Sequence, residues 1–231
     1  MFVGHYGVSF VAKRADNTIP LWVLFIAVQL LDVFWSGFVL LGFEQVRIVP
    51  GFTASNPLDL YYMPYTHSLV AALFWSVAAH VVYKAVRRSG ASNRAAALVA
   101  LAVFSHWLLD LIVHRPDLPL YDDTLKMGLG LWNYRVPAFL LEVAILFGGM
   151  LLYLRSTTAT TRFGRWGFPV FGVLMLAIQA GAFFGPPPGA EWVAAVEALV
   201  LYIVFAAIAG WLERARLTRG FVSPLRRQSS T

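Results

Sequence analysis

Six apolar stretches dominate this chain, and each is long enough for a helix to cross a bilayer core, which takes roughly 20 residues. They run over Ile19–Phe43, Tyr65–Val86, Arg94–His114, Arg135–Leu154, Trp166–Phe184 and Ala190–Leu212. In hydrocarbon no water is at hand to bond the backbone N–H and C=O groups, so stretches of this kind must be helical. A soluble surface needs about a quarter of its residues charged; here charged residues are 13%, hydrophobic ones 59%, and the mean hydropathy is +0.67. The fold class that follows is all-α, a polytopic membrane helix bundle of about six transmembrane helices.

Two segments stand outside this plan. Met1–Ala12 is apolar but too short to cross, so it is expected as a half-inserted or interfacial helix. Residues 220–231 form a basic, polar tail with the composition of disorder. Residues 1–219 then read as a single transmembrane helical domain. The start of the chain has neither the charged region nor the cleavage site of a signal peptide, so Met1 to Thr231 is expected as the mature chain.

Lys and Arg set the orientation. With six alternating helices, 14 of the 18 basic residues fall on one side, among them Lys13, Arg14, Lys84, Arg94, Arg162 and the arginines from Arg214 onward. Arg47, Arg115, Lys126 and Arg135 fall on the other. The positive-inside rule makes the richer side cytoplasmic and both termini with it, as in a bacterial inner (plasma) membrane protein. A net charge of +6 distributed in this way belongs to topology and argues against a nucleic-acid partner. Trp22, Tyr61, Tyr62, Trp132, Tyr134, Trp166, Trp192 and Trp211 lie near span ends, as in an aromatic belt. The loops over 42–64 and 115–134 are long enough to form a cap. Cysteine is absent, which removes disulfides and thiolate metal sites. Membrane lipids are the expected surroundings, and nothing in the pattern sets an oligomeric state.

An ionisable side chain in hydrocarbon costs about 2.5 kcal/mol or more, so each one is a functional candidate. The third span carries His106, Asp110 and His114 at a spacing that puts all three on one helix face. Imidazole and carboxylate suit a divalent transition metal, zinc first among them. At 1.5 Å per residue, His106 and Asp32 lie roughly 18 and 20 Å above the cytoplasmic ends of their helices. Glu142 enters from the opposite side to a similar depth, while His67 and His114 sit near the outer ends of their spans. If Met1–Ala12 climbs inward from Lys13, His5 reaches a depth of roughly 12 Å, below Asp32 and His106. Glu142 is a candidate general base beside a metal, or a partner for Arg135, Lys126 or a histidine. His80 and Glu197 stand alone in their spans and read as structural.

These residues resemble a family of predicted inner-membrane-bound, metal-dependent hydrolases. Members carry a Gly-His near the N-terminus, a helix ending in a Pro-Asp-x-Asp type motif, a Thr-His-Ser, and a Ser-His-x-x-x-Asp helix. Here Gly4-His5, Leu31-Asp32, Thr66-His67-Ser68 and Ser105-His106 with Asp110 follow in the same order over about half the chain. Asp32 lacks the preceding Pro and the second Asp, and Tyr62-Met63-Pro64-Tyr65 replaces a His-Arg-Gly before Thr-His-Ser. Under the hydrolase reading that the resemblance implies, His67, His106 and one or both of Asp32 and Asp110 hold the metal, and His5 or His114 completes or supports the shell. The family label names no substrate; the depth of the site near the membrane boundary favours hydrolysis of a lipid-like or membrane-delivered ester, phosphoester or amide, with Glu142 or an unligated carboxylate such as Asp110 taking the proton. A proton- or ion-coupled transporter using a His/Asp relay is the alternative, and mid-span breaks at Gly148-Gly149 or Gly181 would favour it. Haem held by His67 and His106 and a purely structural pairing of the polar groups complete the set.

Overall fold

A computed structural model describes residues 1–87, 90 and 92–218; the tail expected over 220–231 lies outside the described residues. In chain order the helices are α1 (His5–Ala15), α2 (Leu21–Val28), α3 (Leu30–Leu40), α4 (Leu69–Arg87), α5 (Asn93–Val113), α6 (Arg135–Ser156), α7 (Arg162–Phe184) and α8 (Glu191–Glu213). Strands β1 (Gln45–Ile48) and β2 (Leu58–Tyr62) pair antiparallel in the loop before α4, and β3 (Thr157–Ala159) pairs with β4 (Arg216–Thr218) at the basic end. Helices α4 to α8 are each long and apolar enough to cross a membrane, and α2 with α3 makes a sixth, broken span. Large apolar side chains face outward, including Phe74, Val77 and Val81 on α4, Val173 on α7 and Ile203 on α8. That surface suits lipid rather than water.

The first span departs from a continuous Ile19–Phe43 helix. It bends by 56° at Gln29, between α2 and α3. Neither Gly nor Pro stands at the break. The cause is tertiary: the N-terminal segment lies against it, and the Gln29 amide donates to the Phe2 carbonyl at 3.1 Å. An unbroken helix would commit the Val28 carbonyl to residue 32; here it is free for another donor. Helices α6 and α7 run unbroken through Gly148-Gly149 and Gly181, the places named above for breaks.

Helix α1 is buried within the bundle rather than lying on its surface. It packs backbone to backbone on α6: a Cβ on Gly7 would come within 2.2 Å of the Ile145 carbonyl oxygen, and one on Gly149 within 2.1 Å of the Gly7 oxygen. Around it Tyr6, Phe10, Phe25, Tyr153, Phe168 and Phe205 form an aromatic core, with Phe10 and Phe25 at 5.4 Å edge to face. At its C-terminal end Lys13 is buried. Its ammonium donates to the Asn17 and Ile19 carbonyls at 2.7 Å each and pairs with Glu213, whose other oxygen accepts from the Leu21 N–H at 2.8 Å.

At the opposite end the two long loops meet over the bundle. Lys126 Nζ donates to the Tyr61 carbonyl at 2.8 Å, and the Ser55 N–H donates to Trp132 O at 3.0 Å. A second core, including Trp35, Leu60, Met63, Leu118 and Trp132, lies beneath this cap. Trp132 therefore does not serve in an aromatic belt; it is buried with its ring 4.3 Å from that of His114.

Candidate metal centre

Four segments converge under the cap: the start of α1, the first turn of α3, the turn before α4, and α5. Helix α5 supplies His106 and Asp110 one turn apart, both buried. His106 Nδ1 lies 2.7 Å from the Val28 carbonyl oxygen that the bend at Gln29 releases. A carbonyl only accepts, so Nδ1 carries the hydrogen, and in the neutral ring Nε2 presents a lone pair. That Nε2 faces Asp110 Oδ2 at 3.1 Å and Asp32 Oδ1 at 3.5 Å, in neither case with hydrogen-bond geometry.

His67 sits in the turn ahead of α4, with its carbonyl accepting from Trp107 Nε1 at 3.0 Å. Its Nδ1 lies 2.7 Å from Thr66 Oγ1, and the Thr66 hydroxyl donates onward to Glu44 Oε2, also at 2.7 Å. Because that hydroxyl hydrogen is spent on Glu44, His67 Nδ1 must be the donor, and its Nε2 is again left with a lone pair. It faces Asp32 Oδ1 at 3.2 Å and Asp110 Oδ2 at 3.8 Å. Asp32 Oδ2 accepts from the Tyr202 hydroxyl at 2.9 Å. Glu44 Oε1 accepts from the Tyr65 and Thr66 N–H groups at 2.8 and 2.9 Å. Burial nonetheless pushes the Glu44 carboxyl above its ordinary value.

His5, two residues before the glycine contact on α6, stacks on His106 with ring centres 3.9 Å apart and nearly parallel. Its Nε2 lies 3.2 Å from Asp110 Oδ1, which also receives the Met1 amino group at 2.5 Å.

Two sets of ligand atoms therefore gather within 4.8 Å: His5, His106 and Asp110, and Asp32, His67 and His106. These buried groups can hold a metal ion. The donor chemistry fits one: two imidazole lone pairs point at carboxylate oxygens, acceptor against acceptor, and a cation between them removes the conflict. Asp32 Oδ1 lies close to both His67 Nε2 and His106 Nε2, in the space that haem iron would need.

His114 and Glu142 lie outside both sets. His114 ends α5, with Nδ1 2.8 Å from Asp117 Oδ1 and Nε2 3.6 Å from Asp110 Oδ2. Glu142 makes none of the expected pairs. Its Oε2 accepts from the Phe2 and Gly4 N–H groups at 2.9 and 3.2 Å, so this α6 carboxylate receives N–H groups where α1 begins. Glu142 Oε1 has no partner among the described residues. His80 and Glu197 take no part.

Sequence spacing assigns no role of their own to Glu44, Thr66, Tyr202 and Asp117. Thr66 was visible beside His67; Glu44 and Tyr202 carried no spacing signal, because distant parts of the chain bring them in. A cavity of about 570 Å³ reaches the centre, lined at one end by Asp32, His67, Asp110, His114 and Glu142 and elsewhere by α7, α8 and their connector. Comparison of the chain with family models, curated proteins and solved structures found no match.

Proposed function

We propose that the protein is a membrane-bound, metal-dependent hydrolase acting on a lipid-like ester, phosphoester or amide. The observation that carries this reading is the facing of the His67 and His106 lone pairs onto the Asp32 and Asp110 oxygens in a buried site that opens into a cavity. The resemblance of Gly4-His5, Asp32, Thr66-His67-Ser68 and Ser105-His106 with Asp110 to predicted membrane hydrolases supports it independently of geometry.

His5, Asp32, His67, His106 and Asp110 are the proposed ligands, and their nitrogen and oxygen donors suit zinc. When bound, a divalent ion supplies Lewis acidity and lowers the pKa of water at this place. Val28 and Thr66 fix the two imidazoles, as partners behind metal ligands do. Glu142 Oε1, unpartnered and lining the same cavity, takes the proton from the attacking water. The Tyr202 hydroxyl orients Asp32. Charge asymmetry supports a site in the outer half of a bacterial inner membrane, with the basic end cytoplasmic.

Elemental analysis of detergent-purified protein beside the His106→Ala variant tests this. Stoichiometric zinc, manganese or iron is expected in the wild type and lost in the variant. Metal absent from both, after purification without chelator, would sink the assignment.

The bend at Gln29 favours a second reading, because broken helices beside ionisable groups recur in transporters. Proton-coupled uptake into liposomes without any hydrolysis would select it.

A further inference from the structure

Buried polar atoms almost always find a partner, and each exception calls for an explanation. Four residues lining the cavity carry such exceptions: Trp35 Nε1, Ser55 Oγ, Glu142 Oε1 and both amide atoms of Gln179. Glu142 serves the proposed chemistry; the other three are unused by it. Gln179 is 1% exposed, midway along the outer half of α7, with apolar Ile178, Ala182 and Phe183 as its neighbours in the cavity wall. Trp35 offers only a donor; Gln179 and Ser55 offer both donor and acceptor.

Helices α7 and α8 meet at the basic end, where Phe163 packs on Trp211 at 4.5 Å and a Cβ on Gly167 would meet Leu212 at 2.5 Å. Towards the cap they instead form two walls of the cavity, and the rim residues Gly181, Ala182, Pro186 and Pro187 are exposed. Among the described residues no Lys or Arg lines the cavity, while Asp32, Asp110, Glu142 and Glu197 do. The Met1 ammonium lines it too but is already paired with Asp110, so the carboxylates outnumber the cations and an anionic headgroup would meet net like charge.

We propose that the cavity binds a neutral amphiphile, its apolar chain between α7 and α8 and its hydroxyl or amide headgroup hydrogen-bonded to Gln179, Trp35 and Ser55. This names the substrate class of the proposed hydrolase and rests on that reading for its chemistry, but not for its binding. Gln179 is the specificity-determining residue. It rejects a headgroup that cannot both donate and accept, because rejection leaves a buried amide unpaired.

The test uses the full chain in dodecyl maltoside with chelator present, so that binding is read without metal chemistry. Thermal unfolding is followed with added monoolein or with dioleoylphosphatidylglycerol. Monoolein should raise the midpoint of the wild type and the anionic lipid should not. Gln179→Leu should unfold at a higher temperature than wild type without lipid, having lost an unpaired amide, and bind monoolein about tenfold more weakly or worse. Trp35→Phe, which keeps the ring and loses the donor, should weaken binding to a smaller extent. His106→Ala should keep the monoolein shift, so a missing metal would fault the hydrolase reading alone. A monoolein shift unchanged by Gln179→Leu, an equal shift from phosphatidylglycerol, or a Gln179→Leu protein less stable than wild type would overturn the proposal.

Discussion

Helix α1 has a buried polar network at each end, and the two are built on opposite rules. At the C-terminal end Lys13 brings three hydrogens to three acceptors, the carbonyls of Asn17 and Ile19 and the Glu213 carboxylate. Glu213 spends its second oxygen on the Leu21 N–H. That network is closed, and it ties α1, α2 and α8 together. At the N-terminal end His5, Asp32, His67, His106 and Asp110 hold more acceptors than hydrogens, since the Nδ1 hydrogens of His67 and His106 are committed outward to Thr66 and Val28. Burial is common to both, so burial does not mark function. What sets the N-terminal network apart is that imidazole lone pairs face carboxylate oxygens, an imbalance that a bound cation would correct.

Breaking the closed network should give the largest effect on stability. Lys13→Met strands the Glu213 carboxylate and should cost about 3 kcal/mol, read as a lower thermal midpoint. Metal content per folded molecule should stay unchanged; a parallel loss of metal would show that the two ends are one system. Next comes the support of His67. Thr66→Val removes the acceptor for Nδ1, frees the ring to adopt the wrong tautomer, and should weaken metal binding by about 10–100-fold in a chelator competition. Unaltered metal affinity would mean that the Glu44–Thr66–His67 chain belongs to the cap and not to the centre.

The smallest effect is a pH dependence. The Glu44 carboxyl is raised above its ordinary value of 4.5 by burial. A raised carboxyl favours the protonated form when folded, so its contribution is fully present below the ordinary value and is lost as pH rises through the folded value. Wild-type stability should therefore fall relative to Glu44→Gln as pH increases from about 4.5. Parallel curves for the two proteins would remove Glu44 from the account.

Much of this architecture was open to sequence reading because its cause is local. Lengths of apolar run specify α4 to α8 directly, and a count of rise per residue sets Asp32, His106 and Glu142 at a similar expected depth. The rest depends on what packs against what. Gln29 carries no breaker signal, and α3 turns away from α2 because the segment before α1 takes its side chain. Lys13 counted as a topological charge, yet it is buried, since its partners come from residues 17, 19 and 213. Gln179, by contrast, was in plain view as an amide within an apolar span; its importance shows only once α7 and α8 are seen to leave it unpaired.

The glycine contact between Gly7 and Gly149 carries a consequence for biogenesis. Helix α1 is synthesised well before α6, but its seat is the backbone of α6, and the carboxylate that receives its first N–H groups is Glu142. Until α6 has entered the membrane, α1 has no wall to rest on, and His5 has nothing to hold it against His106. The cluster is therefore completed late in synthesis, from parts inserted early, and any metal it holds would enter the finished bundle and not the emerging chain.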